Sequence, residues 1–340
     1  MRDRDITLDV LKGLGIFLVV FAHTTKTELS SVIYLFHMPL FFLLSGCALN
    51  YSRHNQYVGL AGYIRSLVVP YFVFSFITFV YWAVIEWRFR PSDLNPIFTG
   101  AIGTLDIRVQ EFLNIFTAYS VNDAFEYDVV IWFLPCLFCC LVLYKWLRLH
   151  TGAWLPLWIV GFAALYFCLE EVMPLLPWCF EISLVALPFI WIGDKCYTIV
   201  KYNTVWGGII LSVLVITGGL LYFYPHIDMR GHAFSQWWLF YPIALSFIFL
   251  TVKLSRVISP YEHGVLQWMG RNSLVIMCLH EPIKRVVLQI ASLLTGFDTT
   301  VIRNSDIASF MIAVVIISIL YPITKAINCY MPFIIGKRNE

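Results

Sequence analysis

Long apolar runs recur from residue 9 to residue 330, and no stretch between them could hold a soluble domain of useful size. That pattern points to a bilayer, because a helix needs about 20 predominantly apolar residues to cross the hydrocarbon core. Ten runs fit, near 9–28, 31–50, 66–87, 129–147, 153–170, 182–200, 204–224, 237–255, 270–295 and 307–330. Charged residues make up only 13% of the chain, against about 25% in a soluble domain. The expected fold is all-α: a polytopic membrane protein forming one integral-membrane domain over 1–340. The opening MRDRD is too short and too charged for a cleaved signal peptide, so the first run is expected to stay as a helix.

Orientation follows from the Lys and Arg residues in the connections. With the N-terminus in the cytoplasm, fourteen of them fall at inner ends or inner loops, from Arg2 and Arg4 to Lys337 and Arg338. Six fall outside: Lys26, Arg88, Arg90, Arg108, Arg230 and Arg303. The bias requires an even number of crossings and places both termini in the cytoplasm. The longest connection, 88–128, is then outer. It holds Pro91, Pro96, Gly100 and Gly103, the segment FLNIFTAYS that could form an interfacial helix, and six acids. Asp93, Asp106, Glu111, Asp123, Glu126 and Asp128 could meet a sugar or simply line a solvated loop.

Cys136, Cys139 and Cys140 mimic metal spacing, yet WFLPCLFCCLVLY offers them no neighbouring His or carboxylate. They read as small core residues, and no metal site is expected. Cys168 and Cys179 flank an outer loop without further support for a disulfide. A net charge of +2 with dispersed cations gives no nucleic-acid patch.

Ionisable side chains at membrane depth are costly and therefore suggest function. His23 ends LDVLKGLGIFLVVFAH and His37 lies in VIYLFHMPLFFLLSG. With about 1.5 Å of rise per residue, His23 sits about 21 Å from the inner edge and His37 about 9 Å from the outer one. In a core of about 30 Å the two fall at one level. The ninth run, GRNSLVIMCLHEPIKRVVLQI, adds His280, Glu281, Lys284 and Arg285 around Pro282. Proline disturbs the helix there, and Glu281 and Arg285 are spaced to pair. Lys12 lies near the inner edge, where it could snorkel to headgroups or pair with Asp9.

These residues resemble the membrane-bound acyltransferase-3 family, especially its fucose-4-O-acetylase-like branch. The resemblance rests on five ordered matches: Lys12 and His23 separated by ten residues, IYLFHMPLFFLLSG at 33–46, WFLPCLF at 132–138, LPWCFEISLVALPFIWIG at 176–193 and MGRNSLVIMCLHEPI at 269–283. Members often carry two arginines around the start of the third helix; only Arg65 stands here. The resemblance implies transfer of an acyl group, usually acetyl, from cytoplasmic acetyl-CoA to a hydroxyl of an envelope carbohydrate or glycolipid. On that reading His23 is the base, acting directly or through an acyl-imidazole. His37 orients it, contacts the acceptor or donates to the oxyanion. Lys12 and Arg65 meet the CoA phosphates, with Asp9 orienting Lys12. His280, Glu281 and Arg285 bind the acceptor or support the site. A homo-oligomer is left open. The rival reading is a transporter or flippase, which also uses buried His, Glu and Arg, but paired broken helices are absent from the sequence pattern.

Overall fold

The computed structural model describes residues 6–55, 59–86, 98–100, 103–105, 107–119, 125, 127–202, 207–223, 226–261 and 264–337. Arg2, Arg4, Arg338 and much of the outer connection (Arg88, Arg90, Pro91, Asp93, Pro96, Asp106, Asp123 and Glu126) lie outside the described residues. The rest is almost wholly helical, as expected. The helices of the first half are α1 (Ile6–Thr24), α2 (Glu28–Tyr34), α3 (His37–Asn55), α4 (Leu60–Tyr63), α5 (Val69–Val84), α6 (Ile107–Thr117) and α7 (Phe133–His150). The second half holds α8 (Leu155–Leu169), α9 (Phe180–Tyr202), α10 (Gly207–Tyr222), α11 (Trp237–Ile258), α12 (Val265–Arg271), α13 (Ser273–Thr295), α14 (Thr299–Arg303) and α15 (Asp306–Tyr330). Two short antiparallel hairpins complete it, β1–β2 (Phe98–Gly100 with Gly103–Leu105) and β3–β4 (Ile227–Asp228 with Ala233–Phe234).

Among the described residues, seven helical segments are long and apolar enough to cross a membrane: Ile6–Thr24, Glu28–Asn50, Leu60–Val84, Phe133–His150, Gly152–Leu169, Trp237–Tyr261 and Asp306–Tyr330. The other three predicted runs are helical as well. Four charged residues interrupt α9, α10 is 16 residues long, and α13 carries Glu281, Lys284 and Arg285. The nine cysteines are all free, and Cys136 and Cys140 are buried in the core.

The second run departs from a straight helix in a way that matters for function. A turn at Leu35–Phe36 separates α2 from α3. Pro39 accounts for it: the ring lacks an N–H and crowds the carbonyl four residues earlier, that of Leu35. The ladder tightens, with Leu35 N donating to Val32 O and Phe36 N to Ile33 O. The His37 ring then donates through Nδ1 to Ile33 O at 2.9 Å.

Two helix pairs set the frame, and both cross at glycines. A Cβ on Gly46 would lie 2.1 Å from Ile190 O, and one on Gly193 would lie 2.0 Å from Leu43 O, so α3 and α9 touch backbone to backbone. The same holds for α1 and α12, where Gly13 abuts Leu266 O and Gly270 abuts Asp9 O at 2.1 and 1.9 Å. Small residues at a crossing let membrane helices approach closely enough for dispersion to act. Asp9 and Arg271 seal the second crossing with an ion pair at 3.0 Å. Gly46→Ala is therefore expected to destabilise the protein by about 1–3 kcal/mol through overpacking. Gly161→Ala, where a Cβ meets nothing within 4 Å, serves as the neutral comparison. Thermal melts of the two variants in detergent check this, and equal midpoints would remove the backbone-contact account.

Candidate active site

Three histidines from three helices converge at one end of this frame. The His23 ring lies 6.5 Å from that of His37 and 5.4 Å from that of His280, centroid to centroid. Tyr34 completes the group, 5.0 Å from His37 and 5.7 Å from His23. The common level inferred from helical rise is thus met in the structure for His23 and His37.

The three imidazoles are not equivalent. His37 directs Nδ1 to Ile33 O, and His280 directs Nδ1 to Ile276 O and Met277 O at 3.0 and 2.8 Å. A carbonyl only accepts, so the proton of each neutral ring resides on Nδ1 and Nε2 carries a lone pair. Both histidines stand two residues before a proline, at Pro39 and Pro282. For His37 the carbonyl comes from the end of α2 across the turn, and for His280 the carbonyls come from the preceding turn of α13 itself. His23 differs: its Nδ1 faces the Tyr34 hydroxyl at 3.5 Å and Glu281 Oε2 at 4.0 Å. Its side chain is also the most open of the three, 14% exposed.

Glu281 is buried and neutralised from its own helix. Lys284 Nζ donates to its Oε1 at 2.5 Å, and Arg285 Nε stands 3.7 Å away. Arg285 makes its shorter contact, 2.6 Å, with Glu86 at the end of the third run. Lys284 also donates to His23 O at 3.2 Å, while Arg303 donates to His23 O and Thr24 O, each at 3.0 Å. The C-terminal carbonyls of α1 are thereby satisfied by two cations, which anchors the His23 backbone. Glu281 Oε2 and His280 Nε2 are buried without a hydrogen-bond partner. His23, His280 and Glu281 could offer ligand atoms within 4.8 Å of one another. The cations already crowding Glu281 oppose a divalent ion there, so the carboxylate is better placed to face the His23 imidazole.

A cavity of about 170 Å³ opens beside His23, Tyr34, His37 and Trp132. The β3–β4 hairpin covers it with Asp228, Met229 and Arg230. The hairpin is tied down through His232, whose Nδ1 lies 2.9 Å from Tyr166 Oη and whose Nε2 lies 3.4 Å from the buried Glu181. Behind the cavity wall, burial pushes the Asp128 carboxyl well above the usual carboxylate range, and the Glu281 charge adds to the rise.

A second cavity of about 170 Å³ lies toward the other end of α1. Lys12 lines it, with Ser45, Phe133, Ser273 and mostly apolar neighbours. The remaining sequence candidates fall outside both cavities. Asp9 is held on Arg271. Arg65 lies exposed on the π-helical turn Ile64–Val68, two residues before the Leu67 that lines the inner cavity. Sequence reasoning missed Tyr34, Asp228, Arg230 and Arg303 as site residues. The last three come from outer connections. The repeated His-x-Pro triplet was the readable signal that links His37 and His280.

A family model described as an acyltransferase domain matches residues 5–322. No curated protein and no solved structure matches the chain.

Removing one partner of a buried ion pair is far more damaging than removing both. Lys284→Met should cost about 3–5 kcal/mol, and adding Glu281→Gln to it should recover much of the loss. Denaturation midpoints of the single and double variants measure this; a double variant less stable than Lys284→Met would contradict the pairing.

Proposed function

The chain belongs to the acyltransferase-3 family, and from that membership we propose that it is an integral-membrane O-acetyltransferase. In this reading acetyl-CoA delivers its acyl group from the cytoplasmic side to a hydroxyl of an envelope carbohydrate or glycolipid, in the cytoplasmic membrane of a bacterium. The observation that carries it is the pairing of a lysine-bearing cavity and a histidine-bearing cavity along one helix. Lys12 and His23 are eleven residues apart, so about 16 Å along α1. The long thiol-bearing arm of CoA spans such a gap while its phosphates stay at the cytoplasmic mouth, where the ammonium of Lys12 meets negative charge.

The chemistry follows from the ring environments. An acceptor hydroxyl enters the outer cavity and gives its proton to His23 Nε2. Its oxygen attacks the thioester carbonyl carbon, and the C–S bond breaks as the tetrahedral intermediate collapses. The departing thiolate takes the proton back from the imidazolium, leaving an ester and free CoA thiol. Glu281 stabilises the imidazolium while it exists, as a carboxylate does behind a catalytic histidine. The Tyr34 hydroxyl is the neutral donor nearest His23 and suits the developing oxyanion. His37, with its proton committed to Ile33 O, accepts from a second hydroxyl of the sugar. Asp228 and Arg230 add polar contacts from the hairpin.

Membrane vesicles supplied with radiolabelled acetyl-CoA test the reading. Label should enter the glycan fraction, and His23→Ala should lower the rate by about 10²–10⁴-fold at equal protein abundance. Lys12→Ala should raise KM for acetyl-CoA more than it lowers kcat. Undiminished transfer in His23→Ala would refute the base assignment.

A further inference from the structure

The two cavities share four elements of their lining, to which Tyr34 and the β3–β4 hairpin add on the outer side and Leu67 on the inner. From α1 come Lys12 to the inner and Val19 and His23 to the outer cavity. On α3, Phe41 and Ser45 line the inner one while His37 and Met38 line the outer. At the start of α7 the switch falls between adjacent residues, Trp132 facing out and Phe133 facing in, with their rings at 87°. Along α13, Ser273 and Leu274 line the inner cavity. Among the described residues, one side chain alone lines both: Met277.

We infer that Met277 is a movable plug dividing one transmembrane passage, and that it sets how long an acyl group the enzyme accepts. Two voids that share four walls and meet at one residue form one passage interrupted at that residue. Met277 is buried, 6% exposed, in a position where a rigid branched side chain would make a fixed wall. Methionine is unbranched, with three rotatable bonds and a polarisable sulfur, so it yields to a ligand and refills the gap afterwards. Its carbonyl also accepts the His280 Nδ1 proton at 2.8 Å, which fixes its backbone while the side chain swings. With the plug closed, water entering the outer cavity cannot follow the tunnel to the thioester. With the acyl arm in place, the displaced side chain packs on the acyl tail and limits its length.

This inference rests on the acyltransfer reading, and the test separates the two. Vesicles carrying wild type, Met277→Ala and Met277→Trp are given acetyl-CoA or butyryl-CoA, and released CoA thiol and acylated glycan are measured on the same samples. In Met277→Ala the butyryl-to-acetyl ratio of kcat/KM should rise at least about tenfold, the discrimination expected for methylenes in an apolar pocket. CoA release without glycan acylation, in which water forms the new bond to the acyl carbon, should rise with it. Met277→Trp should lower the same ratio. The ratio is independent of how much protein folds. A wild type that releases no CoA sinks both readings. An active wild type whose ratio is unchanged in both variants sinks the plug alone.

Discussion

A carboxylate inside an apolar bundle has to be neutralised, and the way Glu281 meets that demand organises the outer site. Lys284 is one turn along the same helix, at 2.5 Å, and Arg285 carries the chain of charge on to Glu86. Once Oε1 is committed to the ammonium, Oε2 is left for His23. The same lysine holds the His23 carbonyl, so the charge that stabilises Glu281 also sets the position of His23. Isolated ionic groups in hydrocarbon are expensive; a network that shares partners across α13, the end of α1 and Glu86 just after α5 lowers that cost and fixes geometry together.

Proline shapes the other half of the site. Pro39 and Pro282 each follow a histidine by two residues, and each histidine turns Nδ1 onto a backbone carbonyl three or four residues earlier. The consequence is chemical as well as structural. A ring whose proton is committed to a carbonyl presents only a lone pair, which suits it to receive a hydroxyl. His23 has no such commitment and remains free to exchange a proton at Nε2. Three similar residues thus acquire two different roles from their local backbone.

The apolar motifs of the chain find their reason in the frame. LLSG, FIWIG and MGRN each end near a glycine whose Cβ would collide with a neighbouring backbone. Close contact between α3 and α9 and between α1 and α12 aligns the walls of both cavities, since α1 and α3 contribute to each. The inner ends are clamped by Asp9 on Arg271, so the lysine-bearing cavity keeps its shape while the outer one is closed by a hairpin.

Hydropathy alone determined the fold class, because a run of about 20 apolar residues has few alternatives to a bilayer helix. Helical rise along the first two runs was enough to place His23 and His37 at one level, and a cluster of ionisable groups in an apolar run marked Glu281. Tertiary structure decided the partnerships. Glu281 joined His23 from 258 positions away, a relation that no spacing encodes. Asp9 went to Arg271, and Arg65 lined neither cavity, because each side chain answers to whichever neighbour the glycine crossings bring near. Tyr34, Asp228 and Arg230 lie in an ordinary helix end and a polar connection, so only their arrival at the cavity distinguishes them. A linear sequence specifies which groups are costly to bury; which groups relieve that cost depends on helices meeting in space.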